Sequence, residues 1–487
     1  MNILEAMDDP TLFGPHFKGP TWDAWKAYLA ALFALPMSDA QLAAYHRHTG
    51  RVEPPIAPFT EATLIKGRRA GGSRTLATVA VFLACFKDYT PYLAPGEMAT
   101  VAVLAADKKQ ARTIFRYTAG LIHSVPMLDA MVTDETQETL TLNNRVQIEI
   151  TAASFRSVRG YTFAAVLADE VAFWRSEESA NPDREILDAL RPGLASIPGA
   201  MLLLASSPYA KRGVLFDAYR RHYGKDGARV LVWKGSTAEM NPLIDPAIIA
   251  EAFENDPASA AAEYGGEFRN DIAAFVPREV VDGCTVPGRY ELPKIPGCRY
   301  FAFVDPSGGS SDSFTLAIAH PDPKDRTVAV LDAVRDVKPP FSPESVVTDF
   351  SVLLKAYGIA SVTGDRYAGE FPRELFRKQN ITYNLSEKPK SDLYRDALPL
   401  LNSGKVELLD LKTLTTQLCG LERRTARGGR DSIDHSPGAH DDVANSVAGA
   451  LLLATTGRAP MNISQAFIDA MSQPDEYMRQ RMARRGS

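Results

Sequence analysis

Ala164-Ala165-Val166-Leu167-Ala168-Asp169-Glu170 and, after a loop and a helix, Met201-Leu202-Leu203-Leu204-Ala205-Ser206-Ser207-Pro208 are two unbroken apolar runs that each end in polar residues. Runs of this kind read as strands buried on both faces, and so predict a mostly parallel α/β sheet with its chemistry at the carboxyl ends of the strands. An Asp-Glu pair at such an end suits a division of labour, with Asp169 on a hydrated Mg²⁺ and Glu170 polarising water. Small hydroxyls at Ser206 and Ser207 suit a group that senses a terminal phosphate or its water. The pattern is that of a nucleoside triphosphatase, and it predicts a phosphate loop upstream.

That loop is expected where Ala62 to Ile65 runs into Lys66-Gly67-Arg68-Arg69-Ala70-Gly71-Gly72-Ser73-Arg74-Thr75, followed by a helix rich in small and apolar residues to about Phe86. Strand, glycine-rich loop and helix N-terminus present backbone N–H groups and the positive end of the helix dipole to an anion. A phosphate loop normally carries Lys before its Ser or Thr, yet Gly72 stands there. Four cations, Lys66, Arg68, Arg69 and Arg74, surround the loop. Arg grips phosphate oxygens through two hydrogen bonds, so Arg68 or Arg69 is expected to replace the missing lysine, with Ser73 as the Mg²⁺-side hydroxyl. Gly67, Arg68, Arg69, Gly71, Gly72, Ser73 and Arg74 are thus the nucleotide-binding set on the loop, joined by Asp169, Ser206 and Ser207.

The 487 residues exceed one hydrophobic core and suggest two or three domains. A net charge of -5 argues against a passive nucleic-acid coat, which would be basic overall, and leaves room for a local basic channel. Cys85, Cys284, Cys298 and Cys419 form no CxxC pair, so neither a zinc site nor a disulfide framework is indicated. No apolar run approaches about 18 residues, and a soluble intracellular protein is expected. Residues 1–58 read as a helical cap: Trp22, Trp25, Tyr28, Leu29, Leu32, Phe33 and Leu35 recur at helical spacing, as a packing face or, alternatively, with a share in holding a nucleotide base. The ATPase-like domain is expected over 59–270. Residues 271–297, with little periodicity, read as a linker, 298–457 as a second domain, and 458–487 as a basic, mobile tail.

The second domain opens with Tyr300-Phe301-Ala302-Phe303-Val304-Asp305, then two further strands predicting an antiparallel meander, a helix near Pro343 to Tyr357, and Ser361-Val362-Thr363-Gly364-Asp365. His440-Asp441-Asp442 begins an apolar helix with Val443, Val447 and Leu451 at helical spacing. Carboxylates at two strand tips and one helix start suit a two-metal nuclease, in which a pair of cations holds the scissile phosphate and activates water. Either Asp441 or Asp442 faces the metals, because adjacent helical residues point about 100° apart. Lys388 and Lys390 are candidates for DNA-backbone contact.

Taken in order, the Gly67-to-Arg74 loop, Val166-to-Glu170, Ala205-Ser206-Ser207-Pro208 and the trio Asp305, Asp365 and His440-Asp441-Asp442 resemble the large terminase subunit of tailed bacteriophages, from about Trp22 to Leu453. The resemblance implies a P-loop ATPase domain with a mostly parallel sheet followed by a ribonuclease-H-like nuclease domain with a mixed sheet. It implies ATP with Mg²⁺, and Mg²⁺ or Mn²⁺ in the nuclease. Its implied partners are double-stranded DNA, the portal protein, a small terminase subunit and a homo-oligomeric ring on the procapsid, with no membrane, in the cytoplasm of an infected bacterium. Under it, Asp169 binds Mg²⁺, Glu170 activates water, Ser206 and Ser207 couple hydrolysis to movement, and Asp305, Asp365 and Asp441 or Asp442 hold the nuclease metals. A helicase-nuclease of DNA repair and a packaging scaffold with lost ATPase activity are the rival readings.

Overall fold

The computed structural model describes residues 1–154, 158–174, 182–310, 312–365, 371–425, 431–436 and 439–456. The chain divides into two compact units, Met1–Gly283 with Asp410–Ala444, and Cys284–Leu409 with the residues from Asn445 onward. The basic tail lies outside the described residues, as does Arg156.

The first unit is built on an eight-stranded sheet. Its strands are β1 (Glu61–Lys66), β2 (Ala99–Ala105), β3 (Val132–Glu135), β4 (Thr139–Leu142), β5 (Val146–Ala152), β6 (Thr162–Asp169), β7 (Met201–Ser206) and β8 (Val230–Gly235), in the order β3-β4-β5-β2-β6-β7-β1-β8. The pairs from β5 to β8 are parallel, and β3-β4-β5 is an antiparallel edge. The continuous apolar runs of β2, β6 and β7 are buried throughout, as strands covered on both faces require. The helix Gly72–Phe86 buries Leu76, Val79, Val81 and Phe82 in the same core as Trp25, Tyr28 and Leu29 of the N-terminal segment. Each such side chain contributes roughly 1.5–3 kcal/mol on leaving water. The N-terminal residues, expected as a helical cap with a packing face, thus share the core of the eight-stranded sheet.

The stretch 271–297, expected as a linker, contains β9 (Ile272–Ala274) and the helix Arg278–Cys284. Its short apolar strand has too few residues to show a period.

The second unit contains β10 (Phe301–Asp305), β11 (Phe314–Pro321), β12 (Ala329–Val337), β13 (Ser361–Gly364), β14 (Thr382–Leu385) and β15 (Val406–Glu407), ordered β14-β13-β10-β11-β12-β15. β10-β11-β12 is the expected antiparallel meander, and β13 joins β10 in parallel. The helix Pro343–Tyr357 buries Val346, Val347, Phe350 and Leu354 in the core with Val304, Phe314 and Leu316. Back in the first unit, β16 (Leu421–Thr425) and β17 (Asp431–His435) extend β9 into a three-stranded antiparallel sheet. The helix Asp442–Thr456 carries the chain from the first unit into the second. Among the described residues no helix is long and apolar enough to cross a membrane, and the four cysteines are unpaired.

Candidate functional site

In the first unit three strand ends meet. Register pairs Ile65 with Ser206 and Ala205 with Asp169, so β6, β7 and β1 finish side by side and bring Lys66, Ser206 and Asp169 to one edge. Lys66, the last residue of β1, is buried, and its Nζ lies 3.0 Å from Glu170 Oε1 and 3.8 Å from Asp169 Oδ1. Its side chain passes over Gly72, where an added Cβ would collide with Lys66 Cδ and Cε. The absence of a side chain at 72 and the presence of a lysine at 66 are thus one arrangement: the ammonium reaches the acidic strand from the start of the loop instead of from its end.

Arg68 and Arg69, the expected replacements for the lysine, are held by other residues, with Arg68 adding a lesser charge effect on Glu170. Arg68 pairs with Glu263, its backbone N–H donates to Glu263 O at 2.5 Å, and its carbonyl accepts from Thr237 Oγ1 at 2.7 Å. Arg69, at φ +63°, has its carbonyl held by Asn241 Nδ2 at 2.8 Å. Both arginines therefore lie in a stretch of loop pinned by residues following β8. Arg74 turns to the N-terminal segment, lying over the rings of Phe17 and Trp22 and donating to His16 O at 2.7 Å. Trp25 Nε1 donates to Ala70 O at 2.9 Å, so this segment grips the loop backbone as well as filling the core. Helix geometry leaves the N–H groups of Gly72, Ser73 and Arg74 without helical acceptors, because the first bond is Thr75 N to Gly71 O. Those donors suit phosphate oxygens.

The electrostatics follow from burial. Burial alone would raise the Glu170 pKa, but the Lys66 charge and hydrogen bond outweigh it and hold the carboxyl below its ordinary range. Burial would likewise depress Lys66, and Glu170 and Asp169 reverse that, keeping it charged. Asp169 is pushed up, chiefly by burial, while Lys66 and a hydrogen bond from Ser73 oppose the shift. Asp169 Oδ1, 3.8 Å from Lys66 Nζ, has no hydrogen-bond partner among the described residues, a buried oxygen that fits a hard cation. Glu170 Oε2 accepts from Ser206 Oγ at 3.2 Å and from Ser207 N and Oγ, each at 3.3 Å. Glu170 itself has φ +50°, a left-handed conformation that costs a non-glycine residue roughly 1 kcal/mol. Backbone held in this region is characteristic of sites where side-chain aim matters more than stability.

Beyond β7 lies a residue that no local pattern marks. Glu422 on β16 is fully buried and accepts from Tyr209 OH at 2.7 Å, Arg212 Nη2 at 2.5 Å and Arg424 Nη2 at 3.3 Å. Tyr209 and Arg212 closely follow Ser206-Ser207-Pro208, so the segment that leaves the acidic edge is tied to the three-stranded sheet.

In the second unit, Val304 pairs with Gly364 on adjacent parallel strands, so Asp305 and Asp365 stand level at the strand ends. Tyr383 OH donates to Asp365 O at 3.2 Å, and its pKa is raised by burial first and then by the charges of Asp365 and Asp305. Asp305 Oδ2 accepts from Asn445 Nδ2 at 2.8 Å, a residue the sequence reading passed over. Lys388 is anchored through Ser386, whose N–H donates to Gly364 O, and its ammonium pairs with Asp396 at 2.6 Å. Lys390 opens the helix Lys390–Asn402. Asp441 and Asp442 belong to the first unit: Asp441 is buried and groups with Asp434 and His435, their ligand atoms within 4.8 Å of one another, whereas half-buried Asp442 opens its helix.

No family model and no curated protein sequence matches the chain. Among solved structures it is similar to the large terminase of bacteriophage HK97, at 14% identity and TM-score 0.41 over 92% of this chain and 99% of that one. It is similar to the large terminase of a thermophilic bacteriophage in complex with ADP, at 13% identity and TM-score 0.38 over 85% and 98% of the two chains. The large terminase nuclease of thermophilic phage G20c matches at 20% identity and TM-score 0.30 over 35% and 94%.

Proposed function

We propose that this chain is the motor subunit of a viral DNA-packaging machine, coupling ATP hydrolysis in its first unit to movement of double-stranded DNA into a procapsid and cutting that DNA with its second. The observation that carries the reading is Lys66. A buried ammonium over Gly72, beside the Asp169-Glu170 pair, supplies the charge that the phosphate-loop pattern lacks at its usual place. A scaffold that had lost hydrolysis would have no reason to retain a buried lysine against two carboxylates, given what desolvating them costs.

In this reading, Asp169 and Ser73 hold Mg²⁺, which neutralises phosphate charge when ATP is bound. Lys66 screens the terminal phosphates, and the loop N–H groups cradle them. Glu170, deprotonated by its Lys66 neighbour, takes a proton from the attacking water. Ser206 and Ser207, which hydrogen-bond the same carboxylate, move with it when it changes partner, and Tyr209 and Arg212 carry that motion to Glu422. Asp305 and Asp365, level on parallel strands, are the core of a divalent-metal cutting site, where Mg²⁺ or Mn²⁺ would supply activated water and charge stabilisation. Lys388 and Lys390 are the DNA-backbone contacts. The portal protein, a small terminase subunit and further copies in a ring on the procapsid are the partners, in the cytoplasm of an infected bacterium.

The test measures ATP turnover with DNA and procapsid, and Mn²⁺- or Mg²⁺-dependent plasmid cleavage, on parent, Glu170→Ala and Asp305→Ala. Each substitution is expected to abolish one activity and spare the other. A parent that hydrolyses no ATP under these conditions would remove the motor assignment. Cleavage by Asp305→Ala at the parent rate would remove the nuclease.

A further inference from the structure

The helix Asp442–Thr456 meets β10 through two contacts that share one spacing. Asn445 Nδ2 donates to Asp305 Oδ2 at 2.8 Å. One helical turn on, Gly449 lies so close to Phe303 that a Cβ there would collide with the ring. Four helical residues advance about 6 Å, and two strand residues about 6.6 Å. The helix face 445/449 and the strand face 305/303 therefore keep step, and the close approach at Gly449 sets where the Asn445 amide falls.

An ionised carboxylate only accepts, so the atom facing Asp305 is the amide nitrogen, and Asn445 Oδ1 is turned away. That oxygen is buried without a hydrogen-bond partner among the described residues, and Asn445 is 0% exposed. Leaving a buried acceptor unpaired costs stability, and apolar residues such as Val447 and Leu451 serve the buried positions further along the same helix. Local choices that cost stability are expected where function uses them. Charge explains why an amide stands here. A lysine would neutralise Asp305, an aspartate would repel it, and a leucine would leave its carboxylate without this donor; an amide orients the carboxylate and leaves its charge for a cation.

We propose that Asn445 is a positioning residue of the cutting site, fixing the Asp305 carboxylate for a divalent metal ion. The inference rests on the nuclease reading. Hydrogen-bond partners of metal ligands typically account for a 10- to 100-fold difference in metal affinity or activity. The experiment is Mn²⁺ titration calorimetry on the full chain without DNA, with the heat lost in Asp305→Ala defining the site. Plasmid-cleavage kinetics and thermal unfolding are measured alongside it.

Asn445→Leu, with the same branched outline, is expected to weaken that Mn²⁺ binding about tenfold. It should lower kcat, leave the KM for DNA unchanged, and keep or raise the unfolding midpoint. Gly449→Ala, which forces the helix off Phe303, should weaken Mn²⁺ binding in the same direction. A purely structural Asn445 would give the opposite pair of results, a lower midpoint with parent Mn²⁺ affinity, and that outcome overturns the proposal. If Asn445→Leu does not fold, Asn445→Ala takes its place with the same expected loss of about tenfold. Failure of the underlying reading looks different: Asp305→Ala itself would then bind Mn²⁺ and cut like the parent. If Asp305→Ala loses both properties and the Asn445 variants lose neither, the positioning role alone falls.

Discussion

The two carboxylate centres of this chain use the same device and differ in what meets the charge. At the end of β6, a buried ammonium lies 3.0 Å from Glu170 and 3.8 Å from Asp169. At the end of β10, the group contributed by the closing helix is a neutral amide, 2.8 Å from Asp305. A fixed cation offsets part of the carboxylate charge before any ligand arrives, which suits a site that must bind a polyanion together with its metal. An amide orients without offsetting, which leaves that charge to attract a cation. Position along the chain and position in space need not agree. Lys66 stands six residues ahead of the pattern's slot and still delivers its charge, because Gly72 lets its side chain cross the loop.

The largest effect should come from removing that cation. Lys66→Met is expected to lower ATP turnover by roughly 10²–10³ and to destabilise the fold by about 3–5 kcal/mol, since it leaves buried Asp169 and half-buried Glu170 without their cation. Steady-state ATPase assays and urea unfolding measure both. Relocating the lysine, as Lys66→Ala with Gly72→Lys, should recover more than about tenfold of the turnover lost by Lys66→Ala, on the premise that only the spatial position of the charge counts. No recovery would mean that the lysine's place in the chain matters as well as its place in space.

Glu422→Ala offers a contrast, a buried carboxylate of the first unit held by two arginines and a tyrosine. It should cost about 3–5 kcal/mol of stability, read from urea unfolding. Nearer to the site, the sign of the Glu170 shift can be checked by pH. Its folded-state pKa is depressed, so its contribution is present above the ordinary value of 4.5 and is lost as pH falls through the lowered one. The stability gap between the parent and Glu170→Gln should therefore narrow on acidification from neutral pH, followed by unfolding at a series of pH values. Trp25→Phe removes one donor to the loop carbonyl at Ala70. About 1 kcal/mol and a several-fold rise in the KM for ATP are expected. Arg68→Ala should change turnover least, about fivefold or less, because its partner is an exposed-side ion pair. If it matched Lys66→Met, the lysine assignment would be wrong.

Much of this arrangement was legible in the residues themselves. The apolar runs ending at Asp169 and Ser206 announced buried parallel strands, because alternation is lost when both faces are covered. The meander after Asp305 was likewise readable from its turns. Glu422 and Asn445 were not, since each takes its meaning from a partner more than a hundred residues away: Arg212 and Tyr209 for one, Asp305 for the other. The stretch 271–297 hid a strand and a helix because neither is long enough to display a period. Trp25 was visible as a core aromatic, and its hydrogen bond to the loop was not.

By itself, then, the sequence determined the layered α/β plan, the strand ends on which carboxylates sit, and the loop that precedes the helix Gly72–Phe86. Local pattern governs those features, through burial and helix-terminus geometry that neighbouring residues dictate. Tertiary structure alone decided which cation serves Asp169 and Glu170. Arginine's better fork favoured Arg68 and Arg69 on chemical grounds, but Thr237, Asn241 and Glu263 bind that part of the loop. Lys66, extending from the end of a buried strand across a residue with no side chain, was left to reach the acids.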